Sequence, residues 1–161
     1  PSTVGISLAV FGISMAVVQG GVIRVALSKL GELRTVILGF GFSLVAFPLL
    51  SVMQNGAVVL ALTPIAALGA MAAPALQAMM SRVTADDAQG ELQGLFSAVQ
   101  ALAMIISPLL MTSVFAVATR PGGAVFLPGA PFLAALALTL AALVLFLRST
   151  RPAPPVTRAP V

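Results

Sequence analysis

Long uncharged apolar runs separated by short polar clusters give this 161-residue chain its pattern. A charge at the centre of a bilayer costs roughly 2.5–3.5 kcal/mol on insertion scales, so charged residues collect at the ends of spans and mark them. Arg24, Lys29, Glu32 and Arg34 form one cluster, and Arg82, Asp86, Asp87 and Glu91 a second. Arg120 stands alone, and Arg148, Arg151 and Arg158 lie at the tail. The stretch from Arg34 to Arg82 is too long for one crossing and is interrupted at Gln54-Asn55-Gly56, where Asn-Gly marks a turn. The pattern predicts five helices, near 4–23, 35–53, 57–80, 95–118 and 130–147, joined by short connections. The expected class is all-α, a polytopic membrane protein with about five transmembrane helices.

Composition excludes an ordinary soluble domain. The chain is 60% hydrophobic and 7% charged, with a mean hydropathy of +1.14, against about 25% charged residues in a soluble domain. Its net charge of +4 and pI near 11.6 come from few charges and no His or Tyr. No basic stripe with interleaved aromatics accompanies them, so no nucleic-acid partner is expected. Cys and His are both absent, which removes thiol nucleophiles, disulfides, zinc clusters and imidazole bases together. Nor does any Asp or Glu fall inside a predicted span. The chain is therefore not expected to be an enzyme, and no cofactor or metal is expected. If transport is proton-coupled, the titrating group lies elsewhere.

Lys and Arg in short loops mark the cytoplasmic side. The first cluster, Arg82 and the tail fall on one side and hold seven of the eight basic residues. The C-terminus is thus expected in the cytoplasm, with the protein multi-pass in the inner (plasma) membrane and Pro1 outside. No basic n-region precedes the first apolar run, and the start at Pro1 reads as a cut end with a span lost upstream. Residues 148–161 carry four prolines without apolar periodicity and are expected to form a disordered cytoplasmic tail. The stretch from Arg120 to Pro131 reads as a looped extracytoplasmic connection.

Within the spans, Gly12, Ala16 and Gly20 recur at four-residue spacing after Gly5 and Ala9, and Gly69 and Ala73 repeat it later. Small residues so placed let helix backbones approach closely. Pro48, Pro64, Pro74 and Pro108 each remove a hydrogen bond to the carbonyl four residues earlier, and kinks are expected there. Gln19 and Gln100 are buried-amide candidates that should face other helices or a wet cavity. Thr84 followed by Asp87 reads as a capping-box-like start to a short interfacial turn leading into the fourth span.

Several blocks together carry a family resemblance. They are Gly5-Ile-Ser-Leu-Ala-Val-Phe-Gly-Ile13, Gln19, Leu30-Gly-Glu-Leu-Arg34, Ala73-Pro-Ala-Leu-Gln-Ala-Met-Met-Ser-Arg82, Gln89-Gly-Glu-Leu-Gln-Gly94 and Ser107-Pro-Leu-Leu110. In order and spacing, from about Gly5 to Leu147, the chain resembles the C-terminal half of the tetracycline-efflux branch of the major facilitator superfamily. The specific residues are Pro74, Gln77, Arg82, Gln89, Gly90, Gln93 and Gly94. The resemblance implies that the spans correspond to helices eight to twelve of a twelve-helix drug:proton antiporter working by alternating access. Its partners would be the lipid bilayer, a small-molecule substrate, protons and an N-terminal bundle outside this chain. It also implies a central cavity lined in this half by helices seven, eight, ten and eleven, which makes Gln19, Gln77 and Gln100 the candidate substrate residues. Lys29, Gly31, Glu32 and Arg34 match the loop that helps lock the family's inner gate. Two positions depart from the pattern: Met15 stands where the tetracycline exporters often carry a histidine, and Arg24-Val25 where a Gly-Pro is expected. The resemblance thus implies a fragment of a proton-coupled exporter that does not transport alone. The alternative is a self-contained five-helix membrane scaffold or partner subunit.

Overall fold

The computed structural model describes residues 2–53, 55–120 and 126–150, with side chains from Gly5 onward. Every regular element among them is helical. Helix α1 (Ser2–Val17) passes through a π-helical turn, Val18–Val22, into α2 (Ile23–Leu30). After Gly31 follow α3 (Glu32–Val52), α4 (Gly56–Gly69), α5 (Ala72–Val83), a 3₁₀ turn at Asp86–Ala88, α6 (Gln89–Ala118) and α7 (Ala130–Ser149).

Four stretches are long and apolar enough to cross a membrane: Gly5–Val52, Gly56–Val83, Asp86–Ala118 and Ala130–Ser149. The first has 48 residues, more than twice the roughly 20 that a bilayer core needs. It contains both of the first two expected spans and folds back at Gly31, whose φ of 78° and ψ of 171° interrupt the helix. That combination is essentially confined to glycine. Gly31 N–H donates to Leu27 O at 3.1 Å, and Thr35 Oγ1 donates to Gly31 O at 2.7 Å, so both sides of the break are tied to it.

Helix α3 is the hub, packing against α2, α4, α5 and α7, whereas α1 leans on α4 and α6 on α7. Small residues on α3 permit this. A Cβ at Gly39 would lie 2.6 Å from the backbone nitrogen of Ala72. Gly69 of α4 is pressed against Ser43, and Gly129, just ahead of α7, against the Ser51 backbone. Without water between helices to drive association, such close van der Waals contact holds a membrane bundle together. Val36, Ala46 and Thr35 on α3 are fully buried, and Phe146 of α7 packs on Phe40 with ring centroids 6.2 Å apart.

The close-packing expectation therefore holds for Gly69 but not for α1. A Cβ at Gly5, Gly12 or Gly20 would meet nothing within 4 Å, because no described helix crosses that face. The prolines also divide. Helices α3, α4 and α6 run on through Pro48, Pro64 and Pro108, while ahead of Pro74 the chain breaks at Ala70-Met71. There Ala70 and Met71 donate to carbonyls three residues back, at 3.0 and 3.2 Å, which tightens the turn where Pro74 offers no N–H.

Of the expected turn at Gln54-Asn55-Gly56, Gln54 lies outside the described residues; Asn55 Oδ1 accepts from Ala57 N at 2.9 Å and caps α4. The tail beyond Thr150 and the Pro-Gly-Gly of the 120–131 loop also lie outside them. The capping reading of Thr84 needs correction. Thr84 Oγ1 donates back to Met80 O at 2.9 Å, closing α5, and the 3₁₀ turn starts after Ala85 with no side-chain cap. A hydroxyl beside a free C-terminal carbonyl bonds there rather than reaching forward.

Candidate functional site

Several polar residues singled out in the sequence, Glu32, Gln77, Arg82, Gln89 and Gln93, gather where α2 meets α3 and α5 meets α6. Glu32, the first residue of α3, receives the Arg82 guanidinium of α5, Nε to Oε1 at 2.7 Å. Glu32 is shielded and Arg82 largely exposed, with 17% and 77% of their side-chain surface accessible. The carboxylate also sits at the N-terminus of α3 and the guanidinium in the last turn of α5, each where its helix dipole favours that sign. Two groups named separately in the sequence, the loop residues and the Arg82 block, are thus one contact. Lys29 and Arg34 are exposed and make no ion pair among the described residues.

A glutamine ladder lies beside this pair. Gln77 Nε2 on α5 donates to Gln93 Oε1 on α6 at 2.7 Å. Gln89 accepts from Ser81 Oγ at 2.8 Å and donates to Ser81 O at 2.7 Å and Thr84 O at 2.9 Å. One side chain thereby satisfies two carbonyls at the end of α5 while holding the start of α6. Leu92, between these glutamines, is buried beneath the corner. Gly90 and Gly94 flank it on α6, each with open space where a Cβ would be. Ser81 was not a candidate from sequence; a hydroxyl beside Arg82 was the available signal, and the Thr84 contact is to its backbone carbonyl, which no side chain marks.

The candidate substrate residues separate. Gln77 is engaged by Gln93, whereas Gln19 and Gln100 are exposed and neither is hydrogen-bonded among the described residues. No described helix covers either amide. On α6, Gln89, Gln93 and Gln100 fall within about 40° of one another at 100° per residue, so Gln100 continues the ladder face past its last partner. Gln19 belongs to the π turn, where Ile23 N–H donates to Val18 O, five residues back. The extra residue buries Val18 and Ile23 against Ala67 and Met71 while leaving Gln19, Gly20 and Gly21 outward. Such turns recur at functional sites.

Among the described residues no group of three or more acidic, His or Cys side chains could hold a metal. The arrangement offers amide hydrogen bonding and a carboxylate–guanidinium ion pair.

No family profile matches this chain, and no solved structure matches it. Curated proteins do. It is 38% identical over 113 residues to the class C tetracycline resistance protein of Escherichia coli, covering 70% of this chain and 28% of that protein. To the class G protein of Vibrio anguillarum it is 37% identical over 130 residues, 80% of this chain and 33% of the relative. To the class B protein of Escherichia coli it is 37% identical over 112 residues, again 70% and 28%. The matches thus take in about a third of each relative's length.

Proposed function

This chain is related over most of its length to the tetracycline-efflux branch of the major facilitator superfamily, and from that premise we propose that it is the C-terminal part of a secondary active transporter. The transporter exports a drug or other small molecule in exchange for protons by alternating access, and sits in the inner membrane with the C-terminus of this chain in the cytoplasm. Supporting this reading, two of the blocks that carry the resemblance, residues 30–34 and 73–82, meet in one contact, Glu32 with Arg82. The pair ties the first turn of α3 to the last turn of α5 at the end proposed as cytoplasmic. A carboxylate-guanidinium pair there can hold an inner gate shut and release it when the helices part.

Substrate contact is assigned to Gln19 and Gln100, the two amides left unengaged, with Gln77 held in the ladder. Since the five spans expected from the sequence hold no carboxylate or His, the proton is carried by a segment outside this chain. The test is proton-driven drug uptake into inverted vesicles by the whole transporter. Glu32→Gln and Arg82→Gln should each slow uptake at unchanged protein level, and exchange of the two residues should recover part of it. Full activity in both single variants would refute the gate.

A further inference from the structure

A groove bordered by several helices lies away from the glutamine ladder. Between the π turn and α2 on one side and α3 and α4 on the other is an elongated cavity of about 670 Å³. Val22, Val25, Leu38, Phe42 and Leu68 form its walls, and its charged lining residue is Lys29, at one end. From Val17 to Leu30 its length is roughly 20 Å at the helical rise, longer than one leaflet of a hydrocarbon core about 30 Å thick.

The charges at that end are unbalanced. Arg24, Lys29 and Arg34 accompany one carboxylate, Glu32, and Arg82 has taken it. The other carboxylates, Asp86, Asp87 and Glu91, sit on the 3₁₀ turn and the first turn of α6 and do not line the groove. An occupant must cover apolar walls along a leaflet and bring an anion to the ammonium where they end. A purely apolar helix would do the first and leave Lys29 without a counterion.

We propose that this groove holds one anionic diacyl phospholipid, an acyl chain along Val22, Val25 and Phe42 and its phosphate on Lys29. Basic pockets between membrane helices take anionic headgroups in this way, and the lysine stem can lie along apolar surface while its ammonium reaches the phosphate. The inference needs the membrane setting alone and is independent of what the transporter carries.

The test is native mass spectrometry of the transporter containing this chain, extracted from vesicles of phosphatidylglycerol and phosphatidylcholine in equal amounts with identical acyl chains. Phosphatidylglycerol should be retained about fivefold over phosphatidylcholine, the preference expected of one lysine. Lys29→Gln should bring the two lipids to parity, and Arg120→Gln, at the other end of the bundle, should leave the preference intact. Gly21→Phe should empty the groove of both, since a Cβ there meets nothing within 4 Å and Gly21 lines the cavity. Equal retention by the unmodified protein, or an undiminished preference in Lys29→Gln, overturns the proposal. Should Gly21→Phe not fold, Lys29→Gln still decides it.

Discussion

At Gly31, φ of 78° and ψ of 171° place the backbone where a Cβ is strained, a cost of about 1–3 kcal/mol for any other residue. Gly31→Ala should lower the detergent-solubilised unfolding midpoint of the 161-residue chain, whereas Gly41→Ala, in mid-helix with open space, should leave it near the parent value. Gly39→Ala should cost about as much as Gly31→Ala for a different reason, overpacking against Ala72. A parent-like midpoint for Gly39→Ala would refute the close crossing of α3 and α5. In a double-mutant cycle, Glu32→Ala and Arg82→Ala should couple by about 0.2–1 kcal/mol, the range for a pair with an exposed member. Coupling indistinguishable from zero would show that the contact is incidental. Gly31 was visible in the sequence as a glycine among charges between two apolar runs. Gly39 facing Ala72 was not, because that contact is set by which helices become neighbours, and one-dimensional spacing does not carry that.

The corner between α5 and α6 rests on Gln89, whose side chain makes three hydrogen bonds. Gln89→Ala frees two carbonyls at the end of α5 and should destabilise by about 1–3 kcal/mol, read as faster hydrogen exchange over residues 80–90. Exchange unchanged there would mean that Leu92 packing alone holds the corner. Pro74→Ala should act oppositely: it restores a donor for Ala70 O, joins α4 to α5 and slows exchange at Ala70-Met71, with reduced uptake if the break is used in opening. Helix existence was legible from charge position and run length, since both answer to the bilayer. The misreadings fell where a backbone carbonyl competes for a side chain. Thr84 turned back to Met80. The π turn at Val18–Val22, with Gln19 on its exposed side, was not read from the sequence.

Across the whole molecule, α6 and the glycine face of α1 are the parts this chain leaves uncovered. Of the 33-residue stretch Asp86–Ala118, none of the most apolar window is buried, whereas for Gly5–Val52 the share is 28%. Reconstituted without the rest of a transporter, the 161-residue chain should show no drug uptake under an imposed proton gradient. Gradient-driven uptake by it alone would overturn the assignment of proton coupling to another segment. The candidate site was half legible for the same reason: residues that bond within the chain, Gln77 with Gln93 and Glu32 with Arg82, are placed by it, and Gln19 and Gln100 meet no partner among the described residues.

The crowded face of α3 has a mechanical consequence. With Gly39 on Ala72, Ser43 on Gly69 and Ser51 on Gly129, α3 behaves as a keyed axle: neighbours cannot slip round it by a notch, so they turn with it or stay still. Any swing of the described helices must then be taken up at the joints that carry no such keys, which are Gly31, the π turn and the break before Pro74.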